Sequence, residues 1–285
     1  MSRIAYVDGR YVPHRRASIH IEDRGFQFAD GIYEVVAVIG GRRFDEPRHF
    51  DRLERSLGEI DIAMPMSRAA LASVMDEVVR RNRVDNGILY LQVTRGSAPR
   101  DHAWRDDAAP VVVMTARRQL PPRAAAVEAG VAVITAPDQR WRRNDIKSVA
   151  LLGNVLGKQK ARRAGAYETW MVDDAGRVTE GTSTNAWIVV GGRIVTRPLG
   201  PEILDGITRA AVLDVARELQ IAVDERPFSV DEAGTADEAF LTSTTAYVLP
   251  VTRIDDMTVG TGKPGPITAR LLENYRRLID EFVKS

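Results

Sequence analysis

The sequence predicts an α+β protein of two domains, on three observations. Strand-like and helix-like segments come in groups instead of strict alternation, which argues against a doubly wound sheet. A Pro-Pro pair in the unpatterned stretch Gln119–Ala126 (QLPPRAAA) marks a linker. A length of 285 residues, with 44% hydrophobic and 28% charged, suits one large domain or two ordinary ones. Disordered, collagen-like and coiled-coil chains are excluded by the same figures.

In the first domain, Met1–Tyr11 (MSRIAYVDGRY) reads as charged strand and lacks the apolar run of a signal peptide. Ile32–Ile39 (IYEVVAVI) is β-branched and predicts a strand, Gly40-Gly41 a hairpin turn, and Arg42–Phe44 the start of the return strand. After Pro47, the residues Phe50, Leu53, Leu57 and Ile60 fall on one helical stripe. Ser67 can cap a second helix, in which Leu71, Val74, Met75 and Val78 keep the period. Asn86-Gly87 turns the chain into the strand Ile88–Arg95, and Val111–Ala116 is the next. Between them Gly96–Ala109 has no period over about 14 residues, a length that is functional or disordered.

The second domain opens with a strand over Gly130–Ala136 and a helix from about Ser148 to Ala164, stopped by Gly165. Three short strands follow, Glu168–Val172, Ala186–Val190 and Arg193–Thr196, separated by Asp-Ala-Gly and Gly-Gly turns. A helix after Gly206 carries Val212, Val215, Ala216 and Leu219. A strand over Glu238–Thr242 and a closing helix with Leu271, Tyr275, Leu278, Ile279 and Phe282 complete the pattern.

Several chemistries are excluded. Lysine plus arginine total 40 against 39 acidic residues, so a net charge of +1 gives no global field for nucleic acid or an anionic membrane. Any anion site must be local. With no cysteine, disulfides, CxxC redox chemistry, iron–sulfur ligation and a thiol nucleophile all fall away. No stretch reaches about 18 apolar residues, and a bacterial-type cytoplasmic protein is the expectation. Gly260-Thr-Gly-Lys-Pro-Gly lacks the phosphate-loop spacing and reads as a surface turn. Gly181-Thr-Ser-Thr-Asn lacks the second glycine of a nucleophile elbow, and all four histidines (His14, His20, His49, His102) precede it. No histidine pair or acidic loop supports a metal.

The residues left over ask for roles. Lys147, in Asp145-Ile-Lys147-Ser148, lies among Trp141, Ile146, Val149 and Leu152, and it either snorkels from a helix start or is desolvated into a nucleophilic amine. Glu180 stands in Thr179–Asn185 (TEGTSTN), among residues that hydrogen-bond, in what reads as a polar turn between strands. Ile207 and Thr208 open a helix, where free N–H groups suit a phosphate, and Thr244 belongs to a strand-end hydroxyl cluster. Arg52 lies beside the apolar stripe of its helix. Arg100 and His102, two apart in the long loop, point the same way if extended and make a fork of donors for a carboxylate. Tyr33 shares a strand face with Val35.

Seven segments, in order, resemble the fold-type IV (class IV) pyridoxal-phosphate aminotransferases, and within them the D-amino-acid aminotransferases. They are EDRGFQFADGIYEVV (Glu22–Val36), HFDRL (His49–Leu53), YLQVTRGSAPRDH (Tyr90–His102), DIKSVALLGNVLGKQ (Asp145–Gln159), TEGTSTN (Thr179–Asn185), LDGITR (Leu204–Arg209) and LTSTT (Leu241–Thr245). The resemblance runs from about Tyr6 to the last helix. It implies a small N-terminal α+β domain over residues 1–118, a linker over 119–126, and a larger cofactor-binding domain over 127–285 with a barrel-like sheet and flanking helices.

The resemblance also implies roles. Lys147 would bind pyridoxal 5′-phosphate as a Schiff base, Glu180 would pair with the pyridine nitrogen, and Arg52, Ile207, Thr208 and Thr244 would hold the phosphate. Tyr33, Arg100 and His102 would trap the substrate carboxylate, the arginine and histidine coming from the neighbouring subunit of a homodimer. The implied reaction is transamination of D-alanine or D-glutamate with 2-oxoglutarate or pyruvate, by a double displacement with ping-pong kinetics. A branched-chain L-amino-acid aminotransferase would be expected to lack the paired arginine and histidine, and an (R)-amine has no carboxylate for Arg100. A cofactor-binding protein without turnover would need to have lost Lys147 or Glu180.

Overall fold

A computed structural model describes residues 3–122 and 124–284. Two compact units divide the chain. One runs to Leu120 and takes in Ile146–Ala150; the other takes Pro121–Asp145 and Leu151 onward. The first division falls inside the Gln119–Ala126 stretch, of which Arg123 lies outside the described residues. Met1, Ser2 and Ser285 lie outside them too, so the expected strand over Met1–Tyr11 is described only from Arg3.

The first unit is a six-stranded antiparallel sheet with helices. A hairpin of β1 (Ile4–Val7) and β2 (Arg10–Pro13) leads to a short helix α1 (Arg24–Phe28), then to β3 (Gly31–Ile39) and the two-residue β4 (Arg42–Arg43). Gly40 and Gly41 both take left-handed φ, +58° and +76°, which is what a two-residue hairpin of this hand demands. Helices α2 (Glu46–Gly58) and α3 (Arg68–Asn82) precede β5 (Gly87–Thr94) and β6 (Val111–Arg118). The strand order is β2-β1-β6-β5-β3-β4. Phe50, Leu53 and Leu57 of α2 and Leu71, Met75 and Val78 of α3 are buried in one core with Val36, Leu91 and Met114. Ser67 caps α3 by accepting from the Ala70 amide at 3.3 Å, and Ile60 falls just beyond α2, packed against the core.

The first element of the second unit is α4 (Ala124–Ala129), a helix that starts within the expected linker and runs past its end at residue 126. It continues through β7 (Val131–Pro137), α5 (Leu152–Arg163), β8 (Glu168–Val172), β9 (Val178–Gly181), β10 (Asn185–Val190) and β11 (Arg193–Thr196). Then come α6 (Ile207–Glu218), β12 (Val223–Glu225), α7 (Val230–Gly234), β13 (Glu238–Ser243), β14 (Tyr247–Ile254), β15 (Met257–Thr258) and α8 (Pro266–Lys284). The sheet order is β12-β11-β10-β13-β14-β7-β8-β9, with β15 on β14, and the sheet curls until β9 lies beside β10. Val133, Trp170, Ile188, Leu241 and Leu249 fill its core. The α+β class and the barrel-like sheet are as the sequence predicts.

Three readings are corrected. The helix expected from Ser148 begins at Leu152, because the backbone before it is engaged on the first unit's sheet: Val149 N donates to Gly31 O at 3.0 Å and Ser148 bridges Ile32. Thr179, Glu180 and Gly181 are strand, not turn, since they pair with β8 through Trp170 and Gly181. Strand β14 was not expected at all. Pro250 inside it argues against a strand, yet Phe240 lies opposite Pro250 in an antiparallel pairing and the parallel pairing with β7 starts only at Val251. The Gly260–Gly265 turn holds no phosphate loop either, for Glu238 accepts from the Ile267 and Thr268 amides at 2.9 and 2.8 Å and fills the start of α8. Among the described residues no helix is long and apolar enough to cross a membrane, and no cluster can hold a metal ion.

Candidate active site

Lys147 is not at a helix start. The segment carrying it lies along the part of β3 that short β4 leaves bare: Tyr33 N donates to Lys147 O at 3.0 Å, and Lys147 N donates to Ser56 Oγ of α2 at 3.3 Å. Ile146 anchors the segment in the core. With its backbone fixed on both sides, the lysine places Nζ 4.4 Å from the centre of the Tyr33 ring, a cation–π distance. That ring stacks on Tyr90 at 5.7 Å, and burial together with Tyr33 pushes the Tyr90 phenol up to about 12. Strand alternation thus puts Tyr33 on the face that Lys147 shares, and Glu34 on the other.

Glu34 is buried against α2. Its carboxylate accepts from Arg52 Nε and Nη2, each at 2.8 Å, and lies 2.8 Å from His49 Nδ1. Burial alone would push this carboxyl up, but the Arg52 guanidinium, helped by His49, holds it far below the usual carboxylate range. Arg52 therefore does not face water. One edge of its fork is locked by Glu34, which sets the direction of the rest.

Arg100 and His102 form a separate group on α1. Arg100 lies over the Phe28 ring at 4.7 Å, and His102 packs against the same ring at 5.5 Å. Both are exposed. Among the described residues neither touches Tyr33, so the three expected carboxylate ligands are not brought together by these contacts.

Glu180, in the second unit, is buried on β9 within a network of donors. Arg140 Nη1 donates to Oε1 at 2.5 Å, while Asn185 Nδ2 and the Leu204 amide donate to Oε2 at 3.1 Å each. Arg140 is itself gripped by Asp138, whose carboxylate takes Nε at 2.9 Å and Nη2 at 2.7 Å. Burial opposes the charge on Arg140, and Glu180 and Asp138 outweigh it, so its pKa moves further above the usual arginine value. Asp138 is held below its usual range in the face of burial, chiefly by Arg140.

Leu204 also begins the approach to α6. Asn185 Nδ2 donates to Leu204 O at 3.0 Å, and a side chain at Gly206 would meet Asn185 Oδ1 at 2.1 Å, so this position needs glycine. Gly206 is the N-cap and offers no side-chain acceptor to the first turn. The Ile207 and Thr208 amides there, beside the buried Thr208 hydroxyl, make a start of helix suited to a phosphate. Thr244 is half-buried in the turn between β13 and β14.

These residues fit pyridoxal phosphate on chemical grounds. An amine with a fixed backbone, a carboxylate held by three donors and an uncapped helix start are what that cofactor needs. A buried hydroxyl without a partner, Thr184 Oγ1, lies in the turn after Glu180. Reading the sequence missed Glu34, Ser56, Asp138 and Arg140. For Glu34 a signal existed, a lone carboxylate on the apolar face of a β-branched run; for Arg140 there was none.

Comparison with known proteins completes the picture. Residues 31–254 match the family model described as amino-transferase class IV. A D-alanine aminotransferase of Bacillus licheniformis is 45% identical over 92% of this chain and 92% of its own, and one of Listeria innocua is 41% identical over 98% and 96%. Among solved structures, a branched-chain aminotransferase of Thermoproteus uzoniensis superposes with a TM-score of 0.90 at 27% identity, covering 99% of this chain and 96% of its own. That of Escherichia coli gives a TM-score of 0.91 at 24% identity, with 98% and 95% covered.

Proposed function

This chain belongs to the amino-transferase class IV family, and from that premise we propose that it transfers the amino group of a D-amino acid, of the D-alanine or D-glutamate type, to a 2-oxo acid such as 2-oxoglutarate or pyruvate. The observation that carries the reading is the fixed lysine: Lys147 is held by its backbone on the edge of β3 with Nζ against Tyr33. The cofactor is pyridoxal 5′-phosphate, which supplies when bound an electron sink for the charge that develops at the substrate Cα.

The chain's own residues do the rest. Lys147 Nζ would hold the cofactor and, as a free amine, would carry the proton from the substrate Cα. Glu180, held by Arg140, Asn185 and the Leu204 amide, would face the ring nitrogen and favour its protonated form. The Ile207 and Thr208 amides, the Thr208 hydroxyl and Thr244 bind the phosphate, with Arg52 aimed by Glu34. Tyr33, Arg100 and His102 bind the substrate carboxylate. A double displacement of this kind predicts parallel initial-rate lines at several fixed acceptor concentrations.

The exposure of Arg100 and His102 suits their use by a neighbouring subunit, and we propose a homodimer. Two exposed apolar groups support it, Leu152, Val155 and Leu156 at helical spacing on α5 and Ile21 with Phe26 before β3. Sedimentation at low concentration checks it. A cytoplasmic location is part of the proposal, tested by fractionation.

A second reading has the branched-chain structures behind it, at 27% identity or less against 45% and 41% for the D-alanine enzymes. One experiment separates them. Visible absorbance of the purified protein is followed on adding D-alanine, L-leucine or (R)-1-phenylethylamine singly, without a 2-oxo acid. Bleaching of the cofactor band by D-alanine is expected; bleaching by L-leucine alone overturns the D-specific reading.

A further inference from the structure

The loop that carries Arg100 and His102 is long and contains no helix or regular strand, so something else must hold it still. Residues at and just before the start of α1 hold its first part. Arg24 N donates to Gly96 O at 2.8 Å, Ala98 N donates to Glu22 O at 3.3 Å, and Asp23 bridges Ser97. The later part is held by one side chain. The Arg24 guanidinium donates to three successive main-chain carbonyls, Asp101 O at 2.6 Å, His102 O at 3.0 Å and Ala103 O at 3.3 Å.

Arg24 is only 3% exposed and is fixed in turn. Its Nε donates to Asp30 Oδ2 at 2.8 Å, and the same oxygen accepts from Arg95 at 2.8 Å. Arg95 reaches on to the Asp61 and Ile60 carbonyls and lies 4.1 Å over Trp104, the residue after the clamped stretch. Helix α1 is pinned beneath: Asp23 caps it through the Gly25 and Phe26 amides and accepts from Thr94 Oγ1 at 2.8 Å. A side chain at Gly25 would meet Thr94 Cγ2 at 2.2 Å. Phe28, one turn on from Arg24, has the Arg24 guanidinium 4.9 Å and the Arg100 guanidinium 4.7 Å from its centre.

We propose that Arg24 and Phe28 are positioning residues for substrate selection: Arg24 sets the backbone of residues 101–103 and Phe28 seats the side chains of Arg100 and His102, so that α1 decides how well a substrate carboxylate is bound. The role rests on the assignment of Arg100 and His102 made above. Neither residue touches the substrate. Three carbonyls aimed at one buried cation tie the loop to the sheet more firmly than a flexible ammonium can, since the planar fork matches several acceptors at once. A small displacement of a binding group is costly in a preorganised site.

The test compares wild type, Arg24→Lys, Phe28→Leu and Arg100→Ala as holoenzymes. Three readouts are taken: KM and kcat for D-alanine, cofactor absorbance, and hydrogen exchange of the amides of residues 97–104. Arg24→Lys is expected to raise KM about tenfold or more while kcat and absorbance hold, and to speed exchange in the loop. Phe28→Leu, which leaves the carbonyl clamp intact, is expected to raise KM without speeding exchange. Unchanged exchange in Arg24→Lys overturns the clamp. Unchanged KM in both α1 variants, with KM raised in Arg100→Ala, overturns the positioning role alone. Unchanged KM in Arg100→Ala overturns the assignment of Arg100 and the role proposed for α1 with it.

Discussion

Two buried clusters of opposite charge, one in each unit, are built in reverse. In the roles proposed above, the carboxylate of Glu34 supports Arg52 as the working cation, whereas the cation of Arg140 supports Glu180 as the working carboxylate. The groups they support differ in what they can do when abandoned. A carboxylate left without its arginine can take up a proton and become neutral, whereas a guanidinium cannot shed one. Glu180 also keeps the Asn185 and Leu204 donors, so the second cluster is the more tolerant of the two.

That asymmetry can be broken or sharpened by experiment. The largest effect is expected from Glu34→Ala, which leaves Arg52 buried beside an empty place and costs about 3–5 kcal/mol of stability; chemical denaturation measures it, and a loss under 1 kcal/mol would remove the contrast. Arg140→Met is expected to cost less, about 1–3 kcal/mol, with the deficit shrinking as pH falls and the stranded carboxylates protonate. If its loss equals that of Glu34→Ala at neutral pH, the clusters are equivalent.

Acid stability gives a third comparison. Glu34 and Asp138 both have folded values below their unfolded ones, so their contribution is full above the unfolded carboxylate pKa and is lost as pH falls through the folded value. Wild type should therefore begin to lose it below about pH 4–5, and Glu34→Gln should show a flatter acid limb. Smallest is the alkaline effect at Tyr90, whose folded value is raised to about 12. Stability from its neutral phenol is full below the unfolded value near 10 and lost as pH rises through 12, so Tyr90→Phe should lose less between these limits in a pH-dependent melt.

The same two clusters show how far the sequence could be read. Lys147 and Glu180 stood out by motif, yet their surroundings were misjudged because both depend on strand pairing, distant for Lys147 and with the neighbouring strand for Glu180. The apolar spacing after Ser148 continues a helical period, and nothing local reveals that residues 147–149 bond to β3 over a hundred residues earlier. Glu180 sits among turn-forming residues, and only its pairing with β8 makes it strand. Local signals were enough where they agreed with the tertiary structure, as in the Gly40-Gly41 hairpin, the Ser67 cap and the stripe of α2. Glu34 was hidden because a hydrophobic run masks a single charge, and Arg140 because its partners come from Asp138 and Glu180, on separate strands or loops.

The short stretch Ile146–Ala150 has a consequence for how the molecule is made. The first unit lacks an edge segment until residues beyond its own boundary have been synthesised, because the Tyr33 amide and the Gly31 carbonyl find their partners only in Lys147 and Val149. A fragment ending at Leu120 would emerge from the ribosome with that seam open, and severing the chain there would not yield two self-sufficient pieces. Supplying a peptide spanning the missing stretch should close the seam in trans, which makes the lysine the last part of its own sheet to arrive.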